Sequence, residues 1–344
     1  MDESLGGSCK KQLPNLFVTQ PIEGYSYHWS TEELFMDSSA PSKLLLKFCE
    51  EHSIANSAFS RNFENCYKKL IEFLVHQASL SHFPPPFLVG LVAPQGAGKT
   101  TLVKFFKLVL ETCYELKVLT ISLDDFYKTR AERRLMADKI HPLFSTRGVP
   151  GTHDVDLAIS TIAAIKNGSE ASTIMLPQFD KSIDDRVTPS QFRKIIAPPD
   201  IILFEGWCLN ATPQSTEALV HPINKLEQEL DPQAIWRTYV NTELAGSYQD
   251  LFSLIDDSIT FYPPSFETVC QWRQQQESQL INSLSTLELT KSSAMRPQEI
   301  QRFMMHFERI SRHQYINTSA KFTGTKTHSP RIQLDENRNT TLIL

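Results

Sequence analysis

Apolar positions in the first third of the chain recur at two periods, and the change from one to the other marks out the elements. Leu44, Leu45, Leu46, Phe48 and Cys49, and then Cys66, Leu70, Phe73 and Leu74, each fall along one stripe of a helix, predicting two amphipathic helices. Pro84-Pro85-Pro86 cannot continue a helix, so a domain boundary is expected near residue 84. Phe87 to Val92 is instead a continuous apolar run with turn residues immediately after it, as in a strand buried on both faces of a parallel sheet. Beyond the turn, Leu102, Phe105, Phe106, Val109, Leu110 and Cys113 return to helical spacing. Further strands are predicted at Val118 to Leu123, Thr173 to Leu176, Ile201 to Phe204, Ile235 to Val240, Ser258 to Phe261 and Ile332 to Leu334. Strands alternating with helices argue for an α/β fold with a doubly wound, mostly parallel sheet. Residues 1 to 40 are polar and without clear periodicity, which divides the chain into a polar segment with a helical extension, 1–83, and a main domain, 84–344.

Composition narrows the class. The 344 residues are 41% hydrophobic and 21% charged, enough for one large α/β domain with an appended segment or for two smaller domains, and too apolar for wholesale disorder. A net charge of −5 gives no electrostatic footprint for nucleic acid or an anionic membrane, while leaving room for a small, locally bound anion. The six cysteines are far apart with no C-x-x-C pair, and read as ordinary reduced thiols rather than a disulfide framework or a zinc site. No signal-peptide pattern opens the chain and no apolar run reaches the roughly 18 residues that span a bilayer, so a cytoplasmic location is expected.

Between the first strand and its helix stands Ala93-Pro94-Gln95-Gly96-Ala97-Gly98-Lys99-Thr100, which fits the phosphate-binding pattern G-x-x-x-x-G-K-[ST] except that Ala93 replaces the first glycine. Small residues at Gly96, Ala97 and Gly98 let backbone amides converge on phosphates, and the helix N-terminus adds positive partial charge. Lys99 then bridges the β- and γ-phosphates of ATP, the Thr100 hydroxyl ligates Mg²⁺, and Thr101 extends the cradle. The bland alternative is a Gly-rich turn that merely joins a strand to a helix.

Two carboxylates end strands, where an open α/β sheet puts ligand groups. Asp124, in Ser122-Leu123-Asp124-Asp125-Phe126-Tyr127, is placed to accept a proton from an attacking hydroxyl or to hold a water on Mg²⁺. Glu205, in Phe204-Glu205-Gly206-Trp207, suits a second acidic contact to the metal shell. Asp125 is equally well read as an acidic residue in a solvated loop.

The segment SLDDFY resembles the D-x-F-[HY] segment of uridine kinase, phosphoribulokinase and pantothenate kinase, a group of P-loop kinases in which the first aspartate, here Asp124, is the catalytic base. RGVPGTHD (Arg147 to Asp154), LPQFDKS (Leu176 to Ser182), FEGW (Phe204 to Trp207), QWRQQQE (Gln271 to Glu277) and LDENRN (Leu334 to Asn339) resemble, in order, blocks of the D-glycerate 3-kinase family and its bacterial and fungal relatives. The resemblance covers roughly residues 85 to 340. It implies a P-loop NTPase fold with a helical lid at about 270–312, and transfer of phosphate from ATP to D-glycerate.

It also implies acceptor contacts from Asp125, Tyr127, Arg147, His153, Asp154, Lys181 and Arg186. Cations mixed with acceptor-capable groups suit a molecule carrying a carboxylate and hydroxyls. His153 reads equally as a hydrogen-bonded structural histidine. By similarity Arg273 belongs to the lid and neutralises charge on the transferring group; on its own it is a surface arginine of a Gln-rich helix. The resemblance also implies that Arg338 belongs to a closing strand and loop near the adenine.

Three departures bear on the acceptor and the lid: the compact Lys181-Ser182-Ile183-Asp184-Asp185-Arg186, Asn210 where a glycine is usual, and His306 where relatives tend to have arginine. Two other readings stand beside the glycerate kinase: a kinase for a nucleoside, pantothenate or another sugar acid, and an ATP-binding regulator without turnover. A GTPase is disfavoured by the absence of an N-K-x-D motif.

Overall fold

The computed structural model describes residues 40–80, 86–169, 172–283, 295–317 and 329–343. The described residues all fall in one compact unit, Asp37–Leu344. The boundary expected at Pro84 and Pro85 also falls outside the described residues, as does 284–294 of the expected lid.

The described chain opens with α1 (Ala40–Glu51), α2 (Asn56–Asn62) and α3 (Lys68–Ser79), the last two running on through a π-helical turn at Phe63–Tyr67. Then come β1 (Phe87–Val92), α4 (Lys99–Tyr114), β2 (Val118–Ser122), a 3₁₀ turn at Leu123–Phe126, α5 (Arg130–Lys139) and α6 (Val155–Lys166). Four short strands follow, β3 (Thr173–Leu176), β4 (Phe179–Asp180), β5 (Asp185–Arg186) and β6 (Arg193–Ile196), before β7 (Ile201–Gly206). The remainder is α7 (Lys225–Leu230), α8 (Ile235–Ala245), α9 (Ser247–Ser253), β8 (Asp257–Tyr262), α10 (Phe266–Ser283), α11 (Pro297–Asn317), β9 (Arg331–Leu334) and β10 (Thr340–Ile343).

The central sheet runs β10-β9-β8-β1-β7-β2, parallel except for β10. From β1 the chain crosses to β2 on one side, and from β7 it crosses to β8 on the other. The carboxyl ends of β1 and β7 therefore flank the topological switch point, where ligands of open α/β sheets bind. Alternate residues serve opposite faces. Phe87, Val89 and Leu91 of β1 join a core with α1, α3 and α4, while Leu88 and Val92 join a second core with α6, α8, α9 and α11. In the first, fully buried Phe105 of α4 meets Phe48, Phe59 and Phe63, with ring centroids 5.2, 5.3 and 5.9 Å away. The N-terminal helices thus share their core with the helix that follows the phosphate-binding pattern.

Two strand expectations need correction. Ile235 to Val240, rich in β-branched and aromatic residues, is the start of α8. The Asp231 carboxylate accepts from the amides of Trp236 and Arg237 at 2.8 and 3.1 Å, supplying the first turn with acceptors, and Trp236, Arg237, Val240 and Leu244 form its buried helical stripe. Thr173 to Leu176 is a strand but not of the parallel sheet. It pairs antiparallel with β6 in a separate two-stranded sheet, with Thr173 and Met175 exposed.

Candidate active site

Each conformational demand of the turn after β1 is met by the residue standing there. Gly96 and Gly98 have φ of +73° and +89°, in the left-handed region. A Cβ on Gly96 would lie 2.8 Å from the Trp272 backbone carbon, so the position is closed to other residues on both conformation and space. Ala93 is not among the described residues with positive φ; it is buried, and its amide donates to the Gly206 carbonyl at 3.4 Å. The backbone at this position therefore does not demand a glycine.

Gly98 caps α4 without a side-chain hydrogen bond, and the first helical bond runs from the Leu102 amide to the Gly98 carbonyl at 3.0 Å. The amides of Lys99, Thr100 and Thr101 head the helix, where an anion is stabilised. Lys99 Nζ donates to the Pro94 carbonyl at 3.2 Å, folding the side chain back over Gln95, Gly96 and Ala97. Burial lowers the Lys99 pKa, with Glu205 and Asp124 acting in the opposite direction.

Asp124 follows β2 in the 3₁₀ turn, and its two oxygens have different partners. Tyr127 donates its hydroxyl to Oδ1 at 2.8 Å, and the Lys181 ammonium donates to Oδ2 at 2.6 Å. Burial pushes the carboxyl up, but the Lys181 charge and these two hydrogen bonds outweigh it and hold Asp124 at about 2. Glu205 pairs across the sheet with Ser122, two residues before Asp124. Burial raises its pKa, against the attraction of Lys99. Asp125 is likewise pushed up by burial, to about 6.

Beyond Asp124 lies a layer of paired charges. Arg186 Nη1 meets Asp154 Oδ2 at 3.1 Å and its Nε donates to the Tyr127 carbonyl at 3.2 Å, while Asp154 Oδ1 caps α6 through the Leu157 amide. Arg147 pairs with Asp184 and lies over the Phe179 ring, 5.4 Å from its centroid. Buried Arg133 holds Asp184 from the other side at 3.0 Å. His153, 1% exposed, stacks on Tyr127 with ring centroids 4.5 Å apart, and burial keeps it neutral down to about 3.

The structure therefore brings Lys99, Asp124, Glu205 and Lys181 within one electrostatic field. It ties Tyr127, His153, Asp154 and Arg186 together beside them. Arg273 is engaged elsewhere, paired at 2.5 Å with Glu277 one turn along α10. Arg338 donates its Nε to the Gly96 carbonyl at 2.7 Å and lies over Trp272 at 5.0 Å, so it braces the glycine turn.

The Thr100 hydroxyl and the carboxylates of Asp124 and Glu205 make a set of hard oxygen donors. Such a set fits Mg²⁺, which takes one or two carboxylates and leaves its other positions to water and phosphate oxygens. Among the described residues no group of three or more His, Cys, Asp or Glu forms a fuller metal cage.

No protein-family model matches the chain. An uncharacterized kinase of Schizosaccharomyces pombe is 31% identical over 282 residues, covering 78% of this chain and 95% of the relative. The chloroplastic D-glycerate 3-kinase of Arabidopsis thaliana is 33% identical over 201 residues, 56% of this chain and 41% of the relative. The chain belongs to the D-glycerate 3-kinase family of P-loop kinases. A D-glycerate 3-kinase structure from Cryptococcus neoformans shares the fold, with a TM-score of 0.65 at 24% identity over 80% of this chain and 97% of that one.

The D-glycerate 3-kinase family blocks are separate in sequence and joined in space. Trp207 of FEGW donates its indole N–H to the Gly148 carbonyl at 2.9 Å, fixing the residue beside Arg147. Gly148 has φ +135°, and a Cβ there would lie 2.4 Å from the Phe307 ring, so α11 closes on this loop. Asn210, where a glycine is usual in the family, has φ +57°, which asparagine tolerates. The compact segment after Asp180 is the turn of the β4–β5 hairpin, and it delivers Lys181 to Asp124. His306 is buried in α11, bonded to the Phe303 carbonyl and edge-on to Trp236.

Sequence reasoning missed Asp184, which anchors two arginines, and Tyr248, whose hydroxyl lies 2.7 Å from His153 Nδ1. Neither carries a motif. Trp272 sat inside a recognised block, but its contact with Gly96 had no signal in the sequence.

Proposed function

We propose that the chain transfers the γ-phosphoryl group of ATP to a hydroxyl of D-glycerate, giving 3-phosphoglycerate. The observation that carries this reading is the convergence of Lys99, at the head of α4, with Asp124 and Glu205 at the ends of β2 and β7, beside the cations Lys181, Arg147 and Arg186. Phosphoryl transfer is mostly positioning and charge stabilisation, and that is the work such a set can do.

The turn from Pro94 to Thr101 cradles the phosphates through its amides, with Lys99 on the β- and γ-oxygens. Thr100, Asp124 and Glu205 hold Mg²⁺, which offsets phosphate charge when bound. Asp124 takes the proton of the attacking hydroxyl or orients it. Arg147 and Lys181 receive the acceptor carboxylate, with Asp125 and Tyr127 beside it, and the Arg186–Asp154 pair sets the wall of that pocket. Arg273 is proposed to neutralise charge on the transferring group, and exchange of its Glu277 partner for phosphate is part of the same proposal. Arg338 acts on the nucleotide through the Gly96 carbonyl it braces. The supporting relative is the plant D-glycerate 3-kinase, although this chain spans less than half its length. A cytoplasmic setting belongs to the same reading and accords with five free cysteines among the described residues. No described helix is long and apolar enough to cross a membrane.

The test is ADP release from Mg-ATP with D-glycerate, other hydroxy acids, nucleosides and pantothenate supplied singly. D-Glycerate should give the largest acceleration over the ATPase background. A larger acceleration by another acceptor replaces the substrate and keeps the chemistry, and no acceleration by any of them favours an ATP-binding regulator.

A further inference from the structure

Tyr248 lies on α9, outside every motif in the sequence, yet it is fully buried with its hydroxyl at the back of the candidate site. We propose that Tyr248 is a positioning residue for Asp124, acting through His153 and Tyr127. The proposal rests on Asp124 being the group that handles the acceptor hydroxyl.

The Tyr248 oxygen accepts the Gly151 amide at 3.0 Å and lies 2.7 Å from His153 Nδ1. The Gly151 amide and the His153 amide are both directed at that oxygen, which fills its two acceptor positions and leaves the phenolic proton for the bond to the imidazole. Nδ1 is then the acceptor, and the proton of the neutral ring sits on Nε2. This bond fixes the plane of a ring that is almost wholly buried.

That plane matters because Tyr127 is stacked on it, at 4.5 Å and 21°, and is held from another side by the edge of Phe179 at 5.2 Å and 74°. The two backbones are also tied, by Lys128 N–H to the Thr152 carbonyl at 2.8 Å and Asp154 N–H to the Phe126 carbonyl at 2.7 Å. Only the Tyr127 ring is left to be set by its neighbours, and its hydroxyl holds Asp124 Oδ1 at 2.8 Å. The other oxygen is held by Lys181, whose side chain is 61% exposed. Of the two restraints on the carboxylate, the one running back to Tyr248 is made of buried, neutral groups. It does not depend on an exposed ammonium.

The experiment compares Tyr248→Phe, His153→Phe, the double variant and Asp124→Asn in the full chain, by kcat and by KM for ATP, with D-glycerate or with the best acceptor of the panel. Tyr248→Phe should lower kcat about tenfold with KM for ATP within about twofold, the pattern of a misplaced group rather than lost nucleotide binding. In the His153→Phe background, where the ring stack remains but Nδ1 is gone, adding Tyr248→Phe should cost less than about twofold. Undiminished kcat in Tyr248→Phe beside an inactive Asp124→Asn overturns the proposal and leaves Asp124 its role. Independent losses that multiply in the double variant also overturn it. An active Asp124→Asn removes the reading on which it rests. A ¹⁵N spectrum of the wild-type imidazoles needs no variant to fold: the proton of His153 should be on Nε2, and finding it on Nδ1 contradicts the assigned chain of bonds.

Discussion

The turn at Gly96 and Gly98 owes its shape to backbone and packing, whereas the groups from Asp124 to Arg186 are held by side-chain charge pairs on short turns. On the proposed phosphate side Trp272 and Arg338 close on a glycine that admits no Cβ, and α4 is anchored through Phe105 in a core of aromatic rings. On the proposed acceptor side Lys181–Asp124, Arg186–Asp154 and Arg147–Asp184 are interlocked pairs, with the lysine exposed. The same triphosphate geometry serves every P-loop kinase, so a rigid backbone cradle is affordable there. An acceptor pocket has to match one small molecule, and exchangeable side chains do that.

The two constructions should fail in different ways. Asp124→Asn tests the acceptor side at its centre. It should lower kcat by about 10²- to 10⁴-fold while leaving ATP affinity, measured by calorimetry, within about threefold. A fall in affinity as large as the fall in kcat would merge the two sides into one.

Phe105→Ala attacks the phosphate side far from any ligand. Removing a fully buried ring should cost about 3–5 kcal/mol in urea unfolding, with no comparable specific loss per folded molecule. Gly96→Ala is smaller in volume but sits where φ is +73° and the Trp272 backbone is 2.8 Å away. About 1–3 kcal/mol of strain is expected, together with weakened ATP binding. Tight ATP binding by Gly96→Ala would contradict the backbone character of this side.

His153 supplies a pH signature for the acceptor side. Its folded pKa is pushed down by burial from 6.5 to about 3, so the unfolded chain binds a proton that the folded chain does not. The resulting stability is fully present above pH 6.5 and is lost as pH falls toward 3. His153→Phe should flatten this part of the stability profile, whose slope from one such group is at most about 1.4 kcal/mol per pH unit. An unchanged slope between about pH 6 and about pH 4 would mean that the ring is not excluded from the proton as described.

The smallest effect is expected from Lys181→Met on stability. Asp124, depressed from 3.8 to about 2, is stabilising above the upper value, and that contribution is lost as pH falls to the lower one. Because the lysine is largely exposed, its removal should cost less than about 1 kcal/mol at neutral pH. A much larger cost would make the pair structural rather than part of an adaptable pocket.

The contrast also explains what was legible in the sequence. Local rules found β1, α4 and the glycines, because burial on both faces and positive φ leave marks on single residues. They failed at Ile235 to Val240, where β-branched residues suggested a strand and the deciding influence is a carboxylate at Asp231 that caps the helix. They singled out Asp124 and Glu205, which lie at or just past strand ends, but not Asp184 or Tyr248. The partners of those two lie dozens of positions away in the chain, and no spacing rule connects them.

The most direct test of the central claim is a crystal structure with Mg²⁺ and a non-hydrolysable ATP analogue. The account predicts the triphosphate on the amides at the head of α4, with Lys99 on its outer phosphates and the Asp124 carboxylate facing the γ-phosphorus. Nucleotide bound away from that turn, or Asp124 directed away from the γ-phosphate, would contradict it.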